Sequence, residues 1–198
     1  MSSEAKPSGA EAPPCSNVEI KARVHDMAAL RARASALSGT DGEVLLQDDT
    51  FFHQAKGRLK LRVIRKPGDP ASAPPPPAEL IYYERPDSAG PKTSRYSIAR
   101  TDRPGELRAT LALALGEKVR VEKERVLYLV GQTRVHCDTV TDLGTFMELE
   151  VVMREGQSAE EGEAIARDLM GKLGIAEGDL ITGAYADQLL AKQNAAAE

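Results

Sequence analysis

The stretch Val18-Glu19-Ile20-Lys21-Ala22-Arg23-Val24 sets an apolar residue at each even position and a charged one at each odd position. A period of two is the pattern of a strand with one buried face and one polar face. The same alternation returns in Arg58-Leu59-Lys60-Leu61-Arg62-Val63, in Arg134-Val135-His136-Cys137-Asp138 and in Met147-Glu148-Leu149-Glu150-Val151. Lys123 and Arg125 are in phase within a longer strand from about 118 to 130. These polar faces mix carboxylates with cations, where an ordinary solvated face scatters Thr, Ser and Lys.

Outward from these runs, further strands are expected at 44–53, anchored by Phe51, at 80–85 and at 93–99. Gly57 turns the chain into the strand at 58–65, Gly131-Gln132 forms a tight hairpin turn, and Asp142-Leu143-Gly144 breaks the strands at 133–140 and 146–153. Asp26 caps a helix to about Leu37. Asp102 and Pro104 fit the start of one to Leu115, closed by Gly116. Ser158-Ala159-Glu160-Glu161 is a capping box for a helix to about Leu173, and Thr182 is placed to cap a last helix to about Leu190. Residues 1–16 have too little apolar surface to offset their ordering entropy and read as a disordered leader. The domain then spans 17–190, with an exposed proline-rich loop at 66–78, and the alanine-rich tail 191–198 is expected to fray.

The 198 residues suit one domain with tails, and 26 Lys+Arg against 30 Asp+Glu leave a formal net charge of −4. That balance argues against a protein that wraps a nucleic acid polymer, which needs a dominant basic surface. Cys15 and Cys137 are too few for a disulfide framework, no apolar run reaches membrane-spanning length, and the N-terminus lacks a signal peptide's pattern. A cytoplasmic protein with no membrane partner is the expectation. The sequence carries no signal of oligomeric state.

Two architectures fit the charged faces. In one, an antiparallel sheet turns them to water, where exposed ion pairs contribute little. In the other, the sheet closes into a barrel and the charges converge on its interior. Because buried charges cost several kcal/mol each unless compensated, such an interior would be a binding site. It would suit a small polyanion held by Arg and Lys, with a divalent cation held by Glu148, Glu150 and Asp138.

At these residues the sequence resembles the CYTH superfamily, which includes class IV adenylyl cyclases, thiamine triphosphatases and inorganic triphosphatases. The resemblance rests on Asn-Val-Glu-Ile-Lys at 17–21, Arg-Leu-Lys-Leu-Arg at 58–62, Tyr-Glu-Arg-Pro-Asp at 83–87, Glu-Lys-Glu-Arg at 122–125, and the segment from Arg134 to Glu150, in order along the chain. It implies an α+β fold: a closed antiparallel β-barrel, the triphosphate tunnel, with flanking helices. It further implies Glu19, Asp138, Glu148 and Glu150 on the metal side, with Mg²⁺ or Mn²⁺ as cofactor. Lys21, Lys60, Arg62, Arg85, Lys123, Arg125 and Arg134 would hold a small-molecule triphosphate. Lys60, Arg62, Glu148 and Glu150 would carry catalysis, and Arg23, Arg58 and His136 are secondary candidates. The family's opening signature is Glu-x-Glu-x-Lys, but Asn17 stands at its first position here. Cys15-Ser16 stand where bacterial class IV cyclases have His-Phe, whereas Arg134-Val135-His136 and Leu143-Gly144-Thr145-Phe146 look more like the cyclase branch. The expected activity is metal-dependent triphosphate hydrolysis; the alternatives are conversion of ATP to cyclic AMP and pyrophosphate, and polyphosphate or nucleotide binding without turnover.

Overall fold

A computed structural model describes residues 15–70, 76–85 and 91–197. The alternating segments form β1 (Cys15–Arg23), β2 (Glu43–Phe52), β3 (Arg58–Arg65), β4 (Ala78–Glu84), β5 (Lys92–Thr101), β6 (Glu117–Val130), β7 (Thr133–Val140) and β8 (Gly144–Val152). They close into one barrel in the order β1-β5-β4-β3-β2-β6-β7-β8, with β8 returning to β1 and every pairing antiparallel. The closed architecture is therefore the correct one of the two that the pattern allowed.

The phase of β1 decides which way the barrel is filled. Val18, Ile20 and Ala22 point outward and are buried under helices, together with Val135, Cys137, Met147, Leu149 and Val151. Helices α1 (Met27–Ser38) and α3 (Ala159–Lys172) cover this side through Leu30, Ala34, Ala166, Leu169 and Met170. Helix α2 (Pro104–Leu115) lays Leu107 and Leu111 over Leu61 and its neighbours. The apolar core thus lies between barrel wall and helices, which leaves the opposite, charged phase to face the barrel axis.

Helix α4 (Tyr185–Ala197) sets Tyr185, Ala186 and Leu189 against Phe51, Val119, Val121 and Phe146, across one end of the barrel. It begins after Thr182, which does not cap it; the Asp187 carboxylate instead accepts from the Ala184 amide at 3.0 Å. It also continues to Ala197, through the segment expected to fray, because alanine has the highest helix propensity. At α2 the N-cap position belongs to Arg103 rather than Asp102, and Thr101 Oγ1 accepts the Arg103 amide. Asp26 and Ser158 cap α1 and α3 as expected.

Cys15 and Ser16, read above as the end of the leader, belong to β1 and pair with Tyr96 and Arg95. The rest of the leader, 1–14, lies outside the described residues, as do 71–75 of the proline-rich loop and 86–90. Ala78, expected in that loop, opens β4. At Gly57 the backbone has φ +68°, and a Cβ there would meet Tyr82 Oη and Tyr83 O at 2.8 Å, so only glycine fits the turn. Among the described residues no helix is long and apolar enough to cross a membrane.

Candidate active site

The barrel encloses a cavity of about 270 Å³. Lys21 of β1, Lys60 and Arg62 of β3, Arg85 just after β4, Lys123 and Arg125 of β6, and Arg134 of β7 all line it. So do Glu19, Glu148 and Glu150. One end is closed by Ala184 and Tyr185, with the Lys21 ammonium 3.8 Å from the centre of the Tyr185 ring. The strand registers carry Leu45, Ile64, Ile98 and Leu127 to the opposite, open end.

Each cation is held by a carboxylate. Glu148 lies 3.2 Å from Lys21 Nζ, 3.0 Å from Arg125 and 3.6 Å from Arg85. Burial alone would raise its carboxyl, but the surrounding cations, Lys21 foremost, hold it well below the ordinary range. Glu19 pairs with Arg85, which also donates to the Gly183 carbonyl at the closed end. Burial and the neighbouring Glu148 charge push the Glu19 carboxyl up. Arg134, the most open of the cations, reaches Glu150 at 3.2 Å.

Asp49 on β2 was not among the expected site residues. The residue is 1% exposed; its carboxylate takes a two-pronged bond from Arg62 at 2.7 and 2.8 Å and ammonium contacts from Lys123 at 3.0 Å and Lys60 at 3.2 Å. Against the cost of burial, Arg62 and the two lysines keep it well below the usual carboxylate range. Lys60 is lowered too, but there the shift favours the neutral form: burial and the adjacent Arg62 charge bring its ammonium from 10.5 to about 7. The phase of β2 could have identified Asp49, since Gln47, Asp49 and Phe51 share a face. Asp48 beside it obscured that phase; it points outward to Arg120, at 2.7 and 2.6 Å.

His136, Glu148 and Glu150 bring ligand atoms within 4.8 Å of one another. His136 Nδ1 is buried with no hydrogen-bond partner, 3.8 Å from Glu148 and 3.9 Å from Glu150. An unpartnered imidazole nitrogen beside two carboxylates is a donor set suited to a divalent cation. Asp138 is not in this group. Both of its oxygens are bound by Arg125, at 2.7 and 2.6 Å, and the Tyr185 hydroxyl donates at 3.0 Å. Glu19 lies alongside, directly opposite Glu150 across the β1–β8 pairing. Arg23 is exposed outside the cavity, and Arg58 is bonded to Asp187 of α4 at 2.7 Å. Asn17 lines the cavity with its Oδ1 buried and unpartnered.

A closed eight-stranded barrel whose interior is lined by Lys, Arg and Glu is built to hold a small polyanion. The CYTH domain family matches residues 16–185, and the chain belongs to that family. It is 25% identical over 176 residues, 85% of each chain, to adenylate cyclase CyaB of Aeromonas hydrophila. Among solved structures the barrel is similar to PH1012 of Pyrococcus horikoshii, with TM-score 0.69 and 20% identity, covering 86% of this chain and 98% of that one. It is also similar to HpAC1 of Hippeastrum, described as having a dominant triphosphatase activity, with TM-score 0.60 and 18% identity, covering 89% and 96%. Both structural likenesses concern the fold.

Proposed function

We propose that this chain is a cytoplasmic, divalent-cation-dependent hydrolase that cleaves the terminal phosphoanhydride of a small-molecule triphosphate. The observation that carries the reading is the position of two groups whose proton affinity the barrel alters: Glu19, whose carboxyl burial and Glu148 push up, and Lys60, whose ammonium burial and Arg62 lower to about 7. Glu19, tied through Arg85 to the closed end, and Lys60, on β3 next to Phe51 and Tyr83, both lie deep in the cavity. A phosphate chain entering from the open end brings its terminal phosphorus to them, whereas a ribose would stay near the mouth. Water is then the nucleophile served by these groups.

Lys21, Lys60, Arg62, Lys123 and Arg125 exchange part of their bonding from Asp49, Asp138 and Glu148 to phosphate oxygens. Because the carboxylates already hold them in position, little reorganisation is needed as charge spreads over the transferred phosphoryl group. Glu19 accepts a proton from the attacking water, and its raised affinity for protons suits it to that role. His136, Glu148 and Glu150 would hold Mg²⁺ or Mn²⁺, which supplies Lewis-acid neutralisation of phosphate oxygens.

Cyclisation of ATP is the second reading, favoured by the likeness to CyaB. A phosphorus NMR time course with Mg²⁺ or Mn²⁺ on tripolyphosphate, thiamine triphosphate and ATP separates the two. Orthophosphate release supports hydrolysis; pyrophosphate with cyclic AMP from ATP makes the chain a cyclase. Binding with no product from any of the three leaves a non-catalytic triphosphate binder.

A further inference from the structure

One primary amine in the cavity differs from its neighbours in access. Of the three lysines that line it, Lys21 and Lys123 have side chains 4% and 2% exposed, whereas the Lys60 side chain is 13% exposed. Its hydrogen bond to Asp49, at 3.2 Å, is the longest of the four that this carboxylate accepts. The centres of the Phe51 and Tyr83 rings lie 5.6 and 5.5 Å from the Lys60 nitrogen, so the amine has apolar walls as well as charges around it.

The groups facing Lys60 are Asp49 and Phe51 from β2, Arg62 from its own strand, Tyr83 from β4 and Lys123 from β6. Arg62 and Lys123, which share Asp49 with it, are placed to take a phosphate oxygen at the same spot. Burial and the Arg62 charge bring the Lys60 ammonium to about 7, so a neutral, nucleophilic fraction exists near neutrality. A ligand with a single phosphoryl group carries less negative charge than a triphosphate and draws that proton back less. An amine standing beside a captured reactant then reacts as though the reactant were highly concentrated.

We propose that Lys60 is an acylation site, modified without a second enzyme by small acyl phosphates that the cavity captures by their phosphate end, and that the resulting amide closes the cavity to triphosphate. This rests on the cavity admitting phosphate, and not on hydrolysis. The neutral amine nitrogen adds to the acyl carbon, the bond from that carbon to the bridging oxygen breaks, and the amine's proton leaves with the phosphate as HPO₄²⁻. No redox partner is consumed. The amide has lost the charge that Lys60 contributed, and its acyl group fills space between Phe51 and Tyr83.

The test incubates the full chain with acetyl phosphate and follows acetyl occupancy at each lysine by peptide mass spectrometry. Lys60 should react at least about tenfold faster than Lys56 and Lys66, whose side chains are 77% and 69% exposed. Tripolyphosphate should slow Lys60 and leave those two unchanged. With N-hydroxysuccinimidyl acetate, which has no phosphate, the preference for Lys60 should disappear. Lys60→Arg keeps the cation and should remove the fast reaction alone. By calorimetry, protein acetylated at Lys60 should bind tripolyphosphate at least about tenfold more weakly. A Lys60 rate no greater than those of the exposed lysines, the same preference with both reagents, or no protection by tripolyphosphate overturns the inference. So does acetylation of Lys123 rising together with Lys60, which would trace the labelling to opening of the barrel. Absence of hydrolysis in the phosphorus NMR experiment would sink the hydrolase reading and leave this labelling pattern as expected.

Discussion

Asp49 decides the electrostatics of the barrel interior. It is the shared partner of Arg62, Lys60 and Lys123, and removing one member of a buried charge cluster leaves the others uncompensated. Asp49→Asn should lower the unfolding free energy by about 3–5 kcal/mol in denaturant titrations, with part of the loss recovered when tripolyphosphate or ATP is present. Since the folded state depresses the Asp49 carboxyl, its stabilisation holds above the ordinary 3.8 and is lost as pH falls through the lowered value. Lys60 behaves oppositely: its protonation opposes folding fully below about 7, and that penalty lifts as pH rises toward 10.5. A polyanion draws the proton back. Calorimetry in two buffers of different ionisation enthalpy should therefore show proton uptake on triphosphate binding near about pH 8 and almost none near about pH 6. Lys60→Met should abolish most of that uptake. On the other wall, Glu148→Gln or Glu150→Gln should weaken Mn²⁺ binding, read by electron paramagnetic resonance, by about 10–100-fold; unchanged Mn²⁺ affinity would remove them as ligands.

Among the elements, the strands were legible because alternation in β1, β3, β7 and β8 is nearly unbroken, and the turn residues between them restrict the backbone. Their inward charges could be named for the same reason. Partnerships could not: Arg125 facing Asp138 and Lys21 facing Glu148 depend on strand register, which period two alone does not fix. Tyr185 escaped notice because its role is wholly tertiary, set by where α4 crosses the barrel end. That helix is fastened by Asp187 to Arg58 and by the Tyr185 hydroxyl to Asp138. Asp187→Ala should accordingly speed amide hydrogen exchange across 185–197 while leaving β7 and β8 protected, since the contacts of the Asp187 carboxylate to Arg58, to the Ala184 amide and, at 4.0 Å, to Lys118 are lost. Exchange unchanged in α4 would show that its apolar face alone holds it.

For the whole molecule, the arrangement inverts the usual distribution of polarity. The apolar layer lies outside the barrel, under α1, α2 and α3, and the charged layer inside it. The buried cations draw their compensation from the carboxylates beside them, and a bound triphosphate adds further negative charge among those cations. Saturating triphosphate at about 100 times its dissociation constant should stabilise the fold by about 2.7 kcal/mol, visible as a rise in Tm. No rise at millimolar ligand would mean that the interior does not receive the phosphate chain.

Closure of the ring also constrains how the chain reaches its fold. β1 has β8 as one of its two neighbours, with Asn17 opposite Val152 and Arg23 opposite Phe146. The first strand to leave the ribosome therefore waits for the last before its second edge is paired. Until then the growing sheet presents two open edges to other chains. Ring closure is a contact between distant parts of the sequence, which is slow to form. The completed barrel has no free edge, so the hazard is confined to the interval of synthesis.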